Sequence, residues 1–315
     1  MLSSKFLHVI LYFLLKAFIR FRSNETKYCF GLDALDSQHP LKLAQFTRKG
    51  FHNIEDMGSS NRGTAFALTN LNNVSVYVRN VQNTLYRHLI VNDDILPAHD
   101  IAPLLTGDPI CYIQELETSR QTFCFARNSA NRLTEFTELS IYAWRATQLG
   151  TANDRIRDET APTCSYVGQK HRYCFAIFEN GQIYRILFNS NAWSSWQTIG
   201  SQQFLTQPVF ITSKTLNDSS SDQTCYLIAI DTNNDLQLSM NENCAQTDSF
   251  SQWTLLKTNL KFKQFDKIFR LRDGNVGVLG IDSSNRPYFI YLNPKTHDFT
   301  SPHSTFTIKP LQFRP

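Results

Sequence analysis

The chain repeats one β-hairpin six times. In "KYCFGLDALDSQHPLKL", "VSVYVRNVQNTLYRH", "TFCFARNSANRLTEF", "RYCFAIFENGQIYRI", "CYLIAIDTNNDLQLS" and "VGVLGIDSSNRPYFI", an apolar strand meets a turn rich in Asn, Asp and Gly, then a second alternating strand. The second strands open at Leu41, Leu85, Leu133, Ile183, Leu236 and Pro287, 44 to 53 residues apart. That interval is too long for the strands of a sandwich and suits the blades of a β-propeller. A further short strand precedes five of the hairpins ("TAFALTN", "DPICYIQ", "APTCSYV", "QPVFITS", "KIFRLRD"), and segments such as "WRATQLG", "WSSWQTIG" and "SQWTLLK" follow them. The expected fold is all-β, a propeller of four-stranded antiparallel blades. Six blades are expected, with a five-bladed ring as the alternative. The repeat that starts at Lys27 lacks its first strand, and "FTIKPLQF" near the C-terminus is expected to supply it, so that the chain ends close the ring without an open edge.

The cysteines test this register. Cys111 and Cys164 fall on first strands, and Cys124 and Cys174 start the second strands of the same repeats. Neighbouring antiparallel strands bring such pairs within bonding distance. Cys225 has no first-strand partner, but Cys244 lies just past the third strand. The expected disulfides are Cys111–Cys124, Cys164–Cys174 and Cys225–Cys244, with Cys29 left over; reduced, buried cysteine is the plainer alternative.

Residues 1–22 stand apart. An apolar run from Phe6 to Ile19, broken by His8 and Lys16, follows a basic residue and has the length of a secretory signal core. No small-residue cleavage site follows, and Arg20 and Arg22 sit on the far flank, so a membrane anchor formed by residues 2–19 is the alternative. The expected organisation is a signal peptide or anchor over 1–22 and a single propeller domain over 23–315, secreted or membrane-anchored. Sequons at Asn24, Asn73 and Asn217 agree with export. The formal charge is +4, and Lys5, Lys16, Arg20 and Arg22 account for it in a stretch without acid. The body is therefore neutral, which argues against nucleic acid as a partner.

One repeat ends more distinctively than the others. "IYRILFNSNAWSSWQTIG" runs from a strand through a polar turn into W-x-x-W-x-x-[LI]-G, completed by Trp193, Trp196, Ile199 and Gly200. It resembles the blade of the PLL-like fucose-binding β-propeller lectins, and the resemblance extends from residue 27 to about residue 310. The repeat ending at Gly150 keeps Trp144, and the fifth keeps Trp253 with Leu255 and Leu256. The resemblance implies shallow sugar sites between blades, where aromatic plates meet the C–H face of a sugar and polar groups such as Arg meet its hydroxyls. On that basis the candidate carbohydrate-binding residues are Trp193, Trp196, Trp144, Trp253, Tyr184, Arg185, Tyr86 and Arg87. For Trp196 the plainer reading is a wedge between sheets. For Tyr184–Arg185 and Tyr86–Arg87, which occupy matching places on third strands, it is a core Tyr beside a surface Arg, since alternation sends the two to opposite faces.

Catalytic patterns are missing from the sequence. There is no S-x-D-x-G-x-x-W turn of the sialidase kind, no H-E-x-x-H, no G-x-S-x-G and no phosphate loop. Asp33, Asp231 and Asp282 recur at hairpin turns, where Asp satisfies local backbone, rather than as the paired carboxylates of a glycoside hydrolase. The expectation is a non-catalytic protein without cofactor or metal whose partners are glycans or glycoproteins; the alternative is a protein-binding propeller whose sugar sites have decayed.

Overall fold

The computed structural model describes residues 18–20, 27–32, 41–47, 50–56, 61–70, 73–91, 94–115, 119–158, 160–168, 171–213, 223–256, 261–270, 276–284, 286–293 and 298–299. Contacts divide the chain into two units, Met1–Arg155 and Ile156–Pro315. Each holds three antiparallel sheets whose strands follow in chain order.

In the first unit the sheets are Phe18–Arg20, Lys27–Leu32, Leu41–Thr47 and Gly50–Asp56; then Asn61–Asn70, Asn73–Asn80 and Leu85–Val91, with Asp94–Ile95 and His99–Ala102 sharing the fourth place; then Ile110–Glu115, Arg120–Arg127, Leu133–Ser140 and Ala143–Gln148. In the second unit they are Thr163–Val167, His171–Ile177 and Ile183–Asn189, with Ala192–Trp193 and Gln197–Thr198 in fourth place; then Val209–Thr212, Cys225–Ile230, Leu236–Asn241 and Thr254–Leu255; then Phe262–Arg270, Val276–Asp282, Pro287–Asn293 and Asp298–Phe299. All six third strands begin at the residues read from the repeat. Within each unit the first strands of successive sheets lie against one another, the arrangement of propeller blades.

One expectation changes. The place beside Lys27–Leu32 is taken by Phe18–Arg20, with Phe18 opposite Cys29 and Arg20 opposite Lys27. The strand thus comes from the segment read as a leader, which reaches the edge by a short connection; loop closure favours that over a partner from the far end of the chain. "FTIKPLQF", residues 1–17, Asn24, Asp33 and Asn217 lie outside the described residues, while Asn73 opens the second strand of the second sheet. Among the described residues no helix is long and apolar enough to cross a membrane.

The second strand of the fifth sheet is enclosed on both faces: Cys225, Leu227 and Ala229 join one core with the fourth sheet, and Tyr226, Ile228 and Ile230 another with the sixth. Cys225–Ile230 is buried throughout, and His171–Ile177 is buried after its first residue. Such strands read as unbroken apolar runs, whereas the fourth strands, such as Ala143–Gln148, are largely exposed and polar.

The hairpin turns explain the recurrent Asn, Asp and Gly. Asn83, Asn131, Gly181 and Asn234 all adopt positive φ, between 59° and 80°, at the residue two before the third strand. Glycine and asparagine tolerate that region best. The carbonyls of Asn83, Gly181 and Asn234 then accept hydrogen bonds from the backbone N–H of Leu105, Phe204 and Phe262, so each turn ties its sheet to the next within the unit. The Asp231 carboxylate accepts from the N–H groups of Asn233 and Asp235, and that of Asp282 from Ser284 and Arg286. These acids serve their own turns, as read from the sequence.

The three disulfides Cys111–Cys124, Cys164–Cys174 and Cys225–Cys244 are formed, spanning 13, 10 and 19 residues. In the first two the half-cystines are direct cross-strand partners. Closing loops of this size in the unfolded chain contributes on the order of 3 kcal/mol each in the chain-entropy view.

Candidate functional site

Two residues into the third strand, the second and fourth sheets both carry arginine: Arg87 after Leu85 and Arg185 after Ile183. The matching residues elsewhere are Leu43, Glu135, Leu238 and Phe289. Alternation turns both arginines toward the sheet that follows, and each meets an acid there.

Arg87 is 7% exposed. Its Nη1 donates to Glu138 Oε1 at 2.8 Å and to the Ile141 carbonyl at 3.2 Å, while Nε and Nη2 donate to Ser75 Oγ at 3.1 and 3.0 Å. Trp144 is the cross-strand partner of Glu138 and stands edge-on to Tyr77, with ring centres 6.0 Å apart. Burial lifts the Tyr77 phenol to about 12, so it stays protonated. Leu139, near the end of the third strand Leu133–Ser140, is exposed together with Ile141 and Tyr142 of the turn that follows, and Tyr142 leans edge-on against His99.

At the second arginine, Arg185 Nε donates to Asp248 Oδ1 at 2.6 Å and Nη2 to Gln197 Oε1 at 2.9 Å. Among the described residues, Nη1 meets no acceptor. The guanidinium carbon lies 5.9 Å from the centre of the Phe250 ring, which stands edge-on to both Phe175 and Tyr173. The Tyr173 hydroxyl donates to the Cys244 carbonyl at 2.9 Å, with the Thr247 carbonyl at 3.1 Å, and burial keeps this phenol well above its ordinary range. The loop bearing Asp248 is thereby held against the fourth sheet. The result is a cation with spare donors, an amide, a carboxylate and an aromatic edge in one place.

The sequence-predicted residues divide between faces. Arg87 and Trp144 come together, while Tyr86 lies on the other face of its sheet. Arg185 faces the fifth sheet. Tyr184, Trp193 and Trp196 share the opposite face of the fourth sheet, where Tyr184 stacks on Phe178 (4.1 Å), Trp196 meets Phe178 edge-on (5.2 Å) and Trp193 meets Phe188 (5.5 Å). The plainer reading of the Tyr–Arg pairs is reversed: the arginines are enclosed and the tyrosines half-buried, because an acid of the next sheet compensates each cation.

Trp253 is the wedge. It is 6% exposed, packs on Phe204 at 4.6 Å and donates its indole N–H to the Ile199 carbonyl of the preceding sheet. A Cβ on Gly200 would stand 3.0 Å from Trp253, and Gly200 has φ of +72°, so the closing glycine serves this wedge.

The sequence reading did not single out Glu138, Asp248, Gln197 or Phe250. Phe250 had a signal: "FSQWTLL" aligns with "WSSWQTI", which places Phe250 where the fourth repeat has Trp193. The acids had none, since their partners are 51 and 63 residues away.

No known family pattern and no curated sequence matches this chain. Solved structures do. A lectin from Burkholderia pseudomallei superposes with a TM-score of 0.71 at 12% identity, covering 90% of this chain and 81% of that one. The fold is that of the propeller lectins. The six-bladed β-propeller of the Aleuria aurantia lectin, described with a novel fucose recognition mode, matches at TM-score 0.58 and 11% identity, over 91% of this chain and 94% of that one. The lectin SapL1, solved with α-methyl fucoside, matches at 0.59 and 10%, over 95% and 99%.

Proposed function

We propose that this chain is a non-catalytic, exported lectin that holds fucose-type sugars or glycoprotein glycans at the Arg185 pocket. The observation that carries the reading is the guanidinium Nη1, which has no acceptor among the described residues and stands beside Asp248, Gln197 and Phe250. A sugar hydroxyl both accepts and donates, so it suits a place that offers Arg N–H groups and a carboxylate together. The ligands of the propeller lectins above, fucose and α-methyl fucoside, support this class of sugar. Trp193 and Trp196, on the opposite face, are proposed as a second aromatic contact, and Asn73 as a glycan acceptor.

Titration of the protein with α-methyl fucoside, alongside a glycan array, tests the reading. Binding by the wild type that Arg185→Ala weakens at least tenfold, about 1.4 kcal/mol, is the expected result. Array silence refutes it. A second reading, a protein-binding propeller, is favoured by the exposed Leu139, Ile141 and Tyr142 on one loop; it predicts array silence together with loss of partner capture when that loop is replaced.

A further inference from the structure

We infer that Asp248 restricts the Arg185 pocket to neutral sugars and rejects sulfated or carboxylated ones; this rests on the lectin reading of the same pocket. Positively charged pockets ordinarily invite anions, and an arginine with unused donors is a ready anion site. Here the cation is already matched. Asp248 Oδ1 stands 2.6 Å from Arg185 Nε, and the two side chains are 28% and 12% exposed, so the pair is partly withdrawn from solvent screening. The remaining polar group, Gln197, adds no charge.

Asp248 also comes from a different sheet than the arginine it neutralises. The adjoining Thr247 and Cys244 carbonyls lie at the Tyr173 hydroxyl, which holds the loop that carries the carboxylate. A ligand oxygen that reaches Nη1 therefore meets a cation whose charge is already matched on its other edge. A hydroxyl can accept from Nη1 without needing a net positive charge. A sulfate or carboxylate gives up more hydration than a hydroxyl does, and the Asp248 charge cancels much of the attraction that an unpaired arginine would return. The Arg87 pocket repeats the device with Glu138 at 2.8 Å, so both surviving arginines carry an acid of the following sheet.

The test compares α-methyl fucoside with its sulfate monoester on wild type, Asp248→Asn and Asp248→Glu, by titration calorimetry at low and high salt. The ratio of the two affinities is read rather than either alone, and a thermal melt of each variant checks that it is folded. Wild type is expected to prefer the neutral sugar by about ten- to a hundredfold at low salt, less at high salt. Asp248→Asn should erase most of that preference, and Asp248→Glu, which keeps the charge, should retain it. If the wild type binds the neutral sugar and the ratio is unchanged in Asp248→Asn, the inference fails while the lectin reading stands. If the wild type prefers the sulfate, the inference fails outright. If no variant binds either sugar, the lectin reading fails and takes the inference with it.

Discussion

Arg87 and Arg185 stand at the same place in the repeat, and each reaches an acid of the following sheet, yet their remaining hydrogen bonds differ. Arg87 uses all three guanidinium nitrogens on Ser75, Glu138 and the Ile141 carbonyl, whereas Arg185 Nη1 has no acceptor among the described residues. The strand frame sets where the cation lies, and the loop of the next sheet decides whether it is available. In the first pocket the Leu139–Tyr142 loop folds its own carbonyl onto the arginine. In the second, the loop is held back at Tyr173 and offers a side chain instead. One repeat position can thus serve as a structural latch or as a recognition group.

The frame behind the second pocket should give the largest effect. Leu149 and Leu256 make the same bond, to the carbonyls of Leu133 and Leu236, and three residues earlier stand Ala146 in the third sheet and Trp253 in the fifth. Trp253→Ala empties a buried site and unpairs the Ile199 carbonyl, with an expected loss of about 3–5 kcal/mol in urea denaturation. Trp196→Ala, at a half-buried ring, should cost clearly less. Equal costs would mean that both act as wedges and that the two faces of the fourth sheet are not distinct.

Acid should weaken the first pocket's sheet selectively. Burial lowers His88, next to Arg87, from 6.5 to about 4. The folded chain holds it neutral while the unfolded chain takes up a proton as the pH falls below 6.5. Its contribution is complete above that pH and is lost between 6.5 and 4, about 3 kcal/mol in all. Melting temperature followed against pH should show this slope in the wild type and a flatter one in His88→Gln; parallel curves would remove His88 from the account.

The arginines themselves should cross over. Arg87→Ala leaves Glu138, 18% exposed, and Ser75 without their partner and should cost about 2 kcal/mol of stability, with α-methyl fucoside binding changed less than about twofold. Arg185→Ala should do the reverse, since Asp248 stays partly hydrated and its ion pair is worth about 1 kcal/mol or less. Paired denaturation and titration decide this, and a binding loss from Arg87→Ala would show that the first pocket is open in solution.

What the sequence made legible follows from burial. Where their burial is described, the second and third strands are mostly enclosed, so their apolar runs and turn residues are under tight constraint, and the starts at Leu41 through Pro287 and all three disulfides could be read from the repeat. The fourth strands are exposed and polar, so Asp94–Ile95 and Gln197–Thr198 leave little trace. The Tyr–Arg pairs were seen, but which member faces inward depended on Glu138 and Asp248, and no local pattern announces a partner in the next repeat. The strand Phe18–Arg20 was hidden inside an apolar segment whose composition points to export.

The smallest effect expected separates the connectors into the two pockets. Leu105 and Phe204 make the same bond, to the carbonyls of Asn83 and Gly181, and both are buried. The residue before Phe204, Gln203, does this without a positive φ, while Leu104 holds φ of 62° with its side chain 63% exposed. An L-residue with a branched side chain gives up about 1–2 kcal/mol in that region, and here burial of Leu105 and its bond to Asn83 hold the strained geometry in place. Leu104→Gly relieves the strain and removes an exposed apolar group, but it also frees the unfolded chain, which offsets about 0.5–1 kcal/mol. The net should be a stabilisation of about 0.5 kcal/mol, visible as a small rise in melting temperature, while Gln203→Gly, which has no strain to relieve, should lower it. If both glycines destabilise alike, the two connectors are equivalent, and the difference between the pockets lies in the loops alone.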